Sequence, residues 1–192
     1  GVADDAELTT DGETATFVYV DSSEGWININ QSETTQTGIL PYITATGGTI
    51  TTSGNDKIHT FTGPGTFTVS QVHPCAANNL VSYMVVAGGG SGGGGSGLGG
   101  GGGAGGYREV VSPSAPYTGS PLNGYPTPGN RITVTATGYP ITVGAGGAAV
   151  SPGTQGNSGA VSTFSTITSA GGGGGGAKEV SGVALAGGSG GG

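Results

Sequence analysis

The side chains able to carry chemistry are few, and their spacing decides what they can do. Cys75 is the only cysteine, and His59 and His73 are the only histidines. His73 stands two residues before Cys75, and His59 three after Asp56, which puts two potential metal ligands together in each place. Neither pair gains a third ligand at close spacing, so a surface or strand histidine is the better account of both, and no metal site is expected. A single thiol cannot close an internal disulfide. The choice for Cys75 lies between a reactive or intermolecular thiol and a small, partly buried apolar residue, and free cysteine usually behaves as the second. Catalysis would need a nucleophile with its base, or paired carboxylates in a cleft. The acidic residues concentrate between Asp4 and Asp56, and neither histidine sits in a catalytic motif. No catalytic residue and no cofactor are expected. Gly-x-Gly-x-x-Gly occurs inside the glycine runs, but it lacks the strand-to-helix setting that gives it meaning.

With four Lys and Arg against eleven Asp and Glu, the formal charge is −7. Nucleic-acid affinity comes largely from basic side chains neutralising phosphates, so no nucleic-acid partner is expected. No apolar run reaches the roughly 18–20 residues of a membrane span, so membrane insertion is not expected either. The opening Gly-Val-Ala-Asp-Asp reads like the interior of a longer protein. The close, Ala-Gly-Gly-Ser-Gly-Gly-Gly, stops inside a glycine block, which suggests a piece of a larger chain.

The elements that would position any site are set by glycine. Residues 88–106 include fifteen glycines in nineteen positions, directly after the apolar run Val-Ser-Tyr-Met-Val-Val-Ala of residues 81–87. Glycine loses the most backbone entropy on ordering, so such a run is either a flexible tether or is held by backbone packing that a Cβ would prevent. The 46 glycines cluster in blocks at 88–106, 171–176 and 187–192, and Val, Ile, Thr and Tyr alternate between them as in strands. That punctuation opposes a tether. Collagen is excluded because Ser91, Ser96, Leu98 and Ala104 fall on all three triplet phases. What remains is an extended three-fold helix of the polyproline II type, and its outward N–H and C=O groups require several such helices side by side.

Three regions follow. Residues 1–38 form an N-terminal β-hairpin module and linker, the end of a larger module, with strands at 15–20 and 26–30, a turn at 21–25 and a polar linker at 31–38. Residues 39–80 form a β-meander module with short strands near 42–46, 49–52, 57–61 and 66–69. Residues 81–192 form the glycine-rich domain, cut short at its C-terminal end, with strands at 107–111, 131–136, 141–144 and 161–168. Helix signals are almost absent. The fold class is therefore all-β plus glycine-rich polyproline-II-type helices: short β-modules in series, then a layered polyglycine sandwich. With 33% hydrophobic residues, one chain has little apolar area to set against the entropy of ordering glycine, so a homotrimer is expected along the N-terminal half.

The ordered series Lys57-Ile-His-Thr-Phe-Thr-Gly-Pro-Gly-Thr-Phe-Thr-Val69, the run from Val81 into Gly88, Gly-Gly-Tyr-Arg-Glu109, Tyr139-Pro-Ile-Thr-Val-Gly-Ala-Gly-Gly147 and Phe164-Ser-Thr-Ile-Thr-Ser-Ala before residues 171–176 resembles the glycine-rich domain of bacteriophage tail-fibre and appendage proteins, especially those of marine cyanophages. The resemblance covers about residues 42–192. Residues 8–26 are similar to the end of a small β-module that precedes this domain in such proteins. The resemblance implies a virion structural protein, extracellular, with likeness to the adhesins at the tips of T-even-like long tail fibres, where loops between glycine segments contact the host. The partners it implies are the other copies of a homotrimer, other virion tail or appendage proteins, and a host cell-surface receptor, glycan or outer-membrane protein. The candidate loops are residues 112–130, with five prolines, and 148–159. Tyr117, Tyr125, Asn123 and Asn130 are the candidate receptor contacts, against the alternative that the tyrosines only cover the glycine layer or decorate a Pro-rich loop. The competing class is a non-viral extracellular glycine-rich filament or surface protein without a receptor. The non-repeating strand modules before Gly88 weigh against it, since a repetitive material would replicate them.

Overall fold

The computed structural model describes residues 14–19, 26–32, 42–95, 99–177 and 183–192, in two compact units, Gly1–Tyr42 and Ile43–Gly192. In the first unit, β1 (Thr14–Tyr19) pairs antiparallel with β2 (Trp26–Ser32), with a bulge between Thr16 and Phe17. This is the hairpin that the alternation of residues 15–20 and 26–30 predicts. Its turn at 21–25 and most of the linker at 31–38 lie outside the described residues.

The second unit is built from small antiparallel sheets and two short 3-10 turns, Ala76–Asn79 and Pro128–Asn130. Its fold is all-β. After β3 (Thr44–Thr46), the chain turns at Gly47 and Gly48, both with positive φ, and a Cβ at either would run into the backbone of Thr66 or Thr60. That turn throws β4 (Thr49–Ser53) and β5 (Asp56–Thr60) out as a separate hairpin. β3 pairs instead with β6 (Gly65–Gln71), across the hairpin. In β6, Phe67 and Val69 face inward and Thr66, Thr68 and Ser70 outward, the period of two of a half-buried strand.

β7 (Leu80–Val81) pairs with β10 (Ile132–Thr133), and β8 (Tyr83–Val86) with β9 (Tyr107–Val110). β11 (Gly138–Thr142), β12 (Ser162–Phe164) and β13 (Ile167–Ser169) complete a five-stranded sheet in the order β13-β12-β11-β6-β3. Strands on both sides of residue 80 therefore share one sheet. The alternation of residues 161–168 predicts one strand, but the chain forms a hairpin there. Phe164 faces Ile167 across a two-residue turn in which Ser165 has φ of 53°. No Gly or Asn marks the turn; the pairing of Phe164 and Ile167, both buried, outweighs the modest cost of a left-handed serine.

The core comprises Phe67, Val69, Val85, Ile132, Val134, Phe164 and Ile167, with Tyr83, Tyr139 and Ile141 packed against it. Phe164 is its hub: its ring lies 6.0 Å from Phe67, 5.8 Å from Tyr83 and 6.1 Å from Tyr139, each edge-on.

Between β8 and β9 the chain leaves the core and runs through glycine. Gly88, Ser91 and Gly94 donate to the carbonyls of Ala160, Asn157 and Thr154, while Ala87, Gly90 and Gly93 donate to those of Gly106, Gly103 and Gly100. Partners thus alternate with a period of three. Segment 171–176 is the most enclosed. Gly172 and Gly175 donate to Gly88 and Ser91 and accept from Gly159 and Gly156, Gly173 and Gly176 donate to Ser189 and Gly192 and accept from Gly103 and Gly100, and the carbonyls of Gly171 and Gly174 accept from Gly188 and Leu185. Gly172 to Gly175 are all buried. At Gly90, Gly103, Gly156 or Gly173 an added Cβ would come closer than 3.0 Å to the backbone of another segment. The glycine run is thus a packed element in which the absent side chain is the packing requirement.

Candidate functional site

Segment 112–130 leaves the end of β9 and returns before β10. Its shape is fixed by its own polar groups. The Glu109 carboxylate accepts from both the backbone N–H and the hydroxyl of Ser120, and the Glu109 carbonyl accepts from Gly124 N–H at 2.8 Å. Asn123 Oδ1 accepts from the backbone N–H groups of Val111, at 3.0 Å, and Tyr125, at 3.1 Å. Asn130 Nδ2 donates to the Gly124 carbonyl, and the Asn130 carbonyl accepts from Tyr83 Oη at 2.6 Å. Arg131 Nε donates to the Tyr125 carbonyl, and its guanidinium carbon lies 4.2 Å from the centre of the Tyr125 ring, a cation–π contact.

The four candidate contacts therefore stand in different places. Asn123 and Asn130 are half-buried and committed to holding the loop. Tyr125 is half-buried beneath Arg131. Tyr117 is outward, 52% exposed, and Leu122, which the sequence did not single out, is 69% exposed. All five loop prolines are exposed, and no charged residue occurs from 112 to 130. Glu109, Ser120 and Arg131 were also missed as loop organisers. Ser120 lies eleven residues from Glu109, and no local motif announces such a bond.

The second candidate loop is shorter than its composition suggests. Gly153 donates to Gly94, Gly156 to Gly175 and Gly159 to Gly172, so residues 153–159 run within the glycine packing and only about 148–152 turn outward. The signal was available: Gly153, Gly156 and Gly159 repeat every third residue. Asn157 adds to it, its N–H donating to Ser91 Oγ and its Nδ2 to the Ala148 carbonyl.

Cys75 is exposed rather than partly buried. Its N–H donates to His73 Nδ1 at 2.9 Å, and buried Asn79 clamps the same turn by accepting from His73 N–H and donating to the His73 carbonyl. The turn is closed by these bonds, which leave the thiol outside. His59 Nδ1 donates to the Gly47 carbonyl at 2.9 Å and its ring stands edge-on to Phe67, which assigns it to the Gly47–Gly48 turn. Among the described residues, no group of three or more His, Cys, Asp or Glu is arranged to hold a metal ion.

Tyr83 links core and loop, and burial raises the pKa of its phenol, with Arg108 nearby partly opposing the rise. A phenol harder to ionise in the folded chain than in the unfolded one stabilises the fold below pH 10 and loses that contribution as pH climbs through the raised value. Tyr83→Phe is expected to cost about 1 kcal/mol at pH 7, the hydrogen bond to Asn130, and to flatten the alkaline loss of stability. Urea unfolding at neutral pH and above pH 10 checks both effects.

The fold and the site together define a small-sheet β-domain threaded by packed glycine segments. A family model described as a glycine-rich domain matches residues 61–192, the greater part of the chain, and the chain belongs to that family. No curated protein and no solved structure matches it.

Proposed function

We propose that the chain is part of a bacteriophage tail fibre or appendage, a virion structural protein in which glycine segments form a rigid support and the exposed face of segment 112–130 meets the host surface. In this reading the glycine segments are three-fold helices stacked as a layered sandwich, and copies associate as a homotrimer along the N-terminal β-modules. The fibre is extracellular and joined to other virion tail or appendage proteins.

The observation that carries the proposal is the division of labour in 112–130. Its amides, with Glu109, are spent inside the loop, while Tyr117, Leu122 and the prolines face solvent. A loop that already holds its conformation loses little entropy on binding, and exposed aromatic side chains are frequent anchors. The uncharged face suits a neutral glycan or the surface of an outer-membrane protein. The order of sequence motifs from residue 57 to 176 supplies the link to phage fibres.

The test exchanges residues 112–130, together with 148–152, for the equivalent segments of a related fibre. Adsorption to the original host is expected to fall at least about a hundredfold, as when several anchors are lost at once, with particle assembly unchanged. If adsorption follows another part of the fibre, or the protein does not co-purify with virions at all, the adhesin assignment is wrong.

A further inference from the structure

Residues 185–192 close one side of the glycine packing. Leu185 and Gly188 donate to the carbonyls of Gly174 and Gly171, and Ser189 and Gly192 to those of Ala104 and Gly101. The Ser189 and Gly192 carbonyls accept in turn from Gly173 and Gly176. No described residue from 183 onward is buried, and Val183 is 81% exposed. The segment is therefore held by backbone hydrogen bonds without a buried apolar side chain. Each such bond contributes little net stability, and segments of this kind open at low free energy.

Opening would bare a slot of narrow chemical definition. It presents two N–H groups, from Gly173 and Gly176, and four carbonyls, from Gly101, Ala104, Gly171 and Gly174, all spaced by three along their segments. Its walls admit no side chain at specified places: a Cβ on Gly187 would meet Gly173 N, and one on Gly191 the Gly174 carbonyl, each closer than 3.0 Å. A Cβ on Gly190 meets nothing within 4 Å. The ligand that fits is a glycine-rich backbone with this pattern of open and closed positions, and a second copy of this chain carries it by identity.

We infer that the slot between segments 100–106 and 171–176 is an exchange site, filled in trans by residues 185–192 of a neighbouring copy. Exchange leaves the bonds at the slot unchanged in kind and number, which makes it a low-cost route to association. The chain's own segment competes at an effective concentration of order millimolar, so exchange requires copies held close together or at high concentration. This inference does not depend on the host-binding reading, and association through the N-terminal modules would be indifferent to the substitutions that test it.

The test compares the full chain with its Gly190→Val and Gly191→Val variants by sedimentation velocity across a concentration series, with and without a synthetic peptide of residues 185–192. The unmodified and Gly190→Val chains are expected to show a concentration-dependent larger species that excess peptide suppresses, and Gly191→Val to weaken it roughly tenfold or more. Peptides carrying the same two substitutions, added to the unmodified chain, repeat the comparison without any demand on the folding of a variant: the Gly190→Val peptide should suppress association and the Gly191→Val peptide should not. Association that all three chains share, or that neither peptide affects, overturns the proposal.

Discussion

Gly173→Val is expected to destabilise the second unit by about 1–3 kcal/mol, the usual range for overpacking, because the valine must displace residues 185–192, and to lower its melting temperature by roughly 2–12 °C. Gly173 is buried at the centre of segment 171–176, donates to Ser189 and accepts from Gly103. A Cβ there would meet the Leu185 carbonyl closer than 3.0 Å. A clash with backbone cannot be relieved by a rotamer change. To admit valine, a whole segment must move, and with it the hydrogen bonds that segments 100–106 and 185–192 make to this one. Gly101→Val supplies the comparison within the same packing. Gly101 is exposed, with nothing within 4 Å of its Cβ position, so the same substitution should stay within about 0.5 kcal/mol. Thermal melts of the two variants beside the unmodified chain decide the matter. Equal melting temperatures would mean that the glycine segments are not packed as described.

How far this arrangement was legible in the sequence depends on the range of each interaction. Strands such as 66–69 and 107–111 show themselves by local alternation, and the structure has β6 and β9 there. The glycine blocks announce their own close packing, because no other residue could accept the geometry and no tether would be interrupted by strands. The pairing of blocks was not legible. Gly172 meets Gly88 and Gly103 meets Gly173, partners more than sixty residues apart, and glycine carries no side-chain signature to say which block meets which. The same limit hid the pairing of β3 with β6, whereas the Ser165 turn was hidden locally, because no Gly or Asn marks it.

In the candidate loop, the composition of 112–130 marked out the segment but did not tell which of its side chains face solvent. Asn123 and Asn130 attract notice as exposed polar residues would, yet a loop without strand pairing must satisfy its backbone somehow, and these two amides do so. Glu109 serves the same end from the strand. Leu122 drew no notice because a single apolar residue in a Pro-rich stretch is unremarkable until the polar groups around it are known to be occupied.

The hydrophobic hub offers the second large effect. Phe164→Ala is expected to cost about 3–5 kcal/mol, the range for deleting a buried phenylalanine ring. Phe164 is 8% exposed, and its neighbours belong to three different parts of the chain: Phe67 on β6, Tyr139 on β11 and Tyr83 on β8. The cavity would open where the five-stranded sheet meets the β8–β9 pair, which carries the glycine segments at one end and the 112–130 loop at the other. Tyr83 has two roles at this point, since its ring packs on Phe164 and its hydroxyl donates to Asn130. Loss of the phenyl ring should therefore loosen the return of the loop as well as the core. Tryptic cleavage after the exposed Arg131 is expected to accelerate in Phe164→Ala under conditions where most of the protein remains folded. Leu122→Ala, which removes a side chain 69% exposed, should leave both stability and cleavage rate close to those of the unmodified chain. If the stability loss of Phe164→Ala is below about 1 kcal/mol, the aromatic cluster is not what joins the sheet to the glycine segments; if stability falls as expected but cleavage at Arg131 does not accelerate, the loop is held by the Glu109 and Asn123 bonds alone.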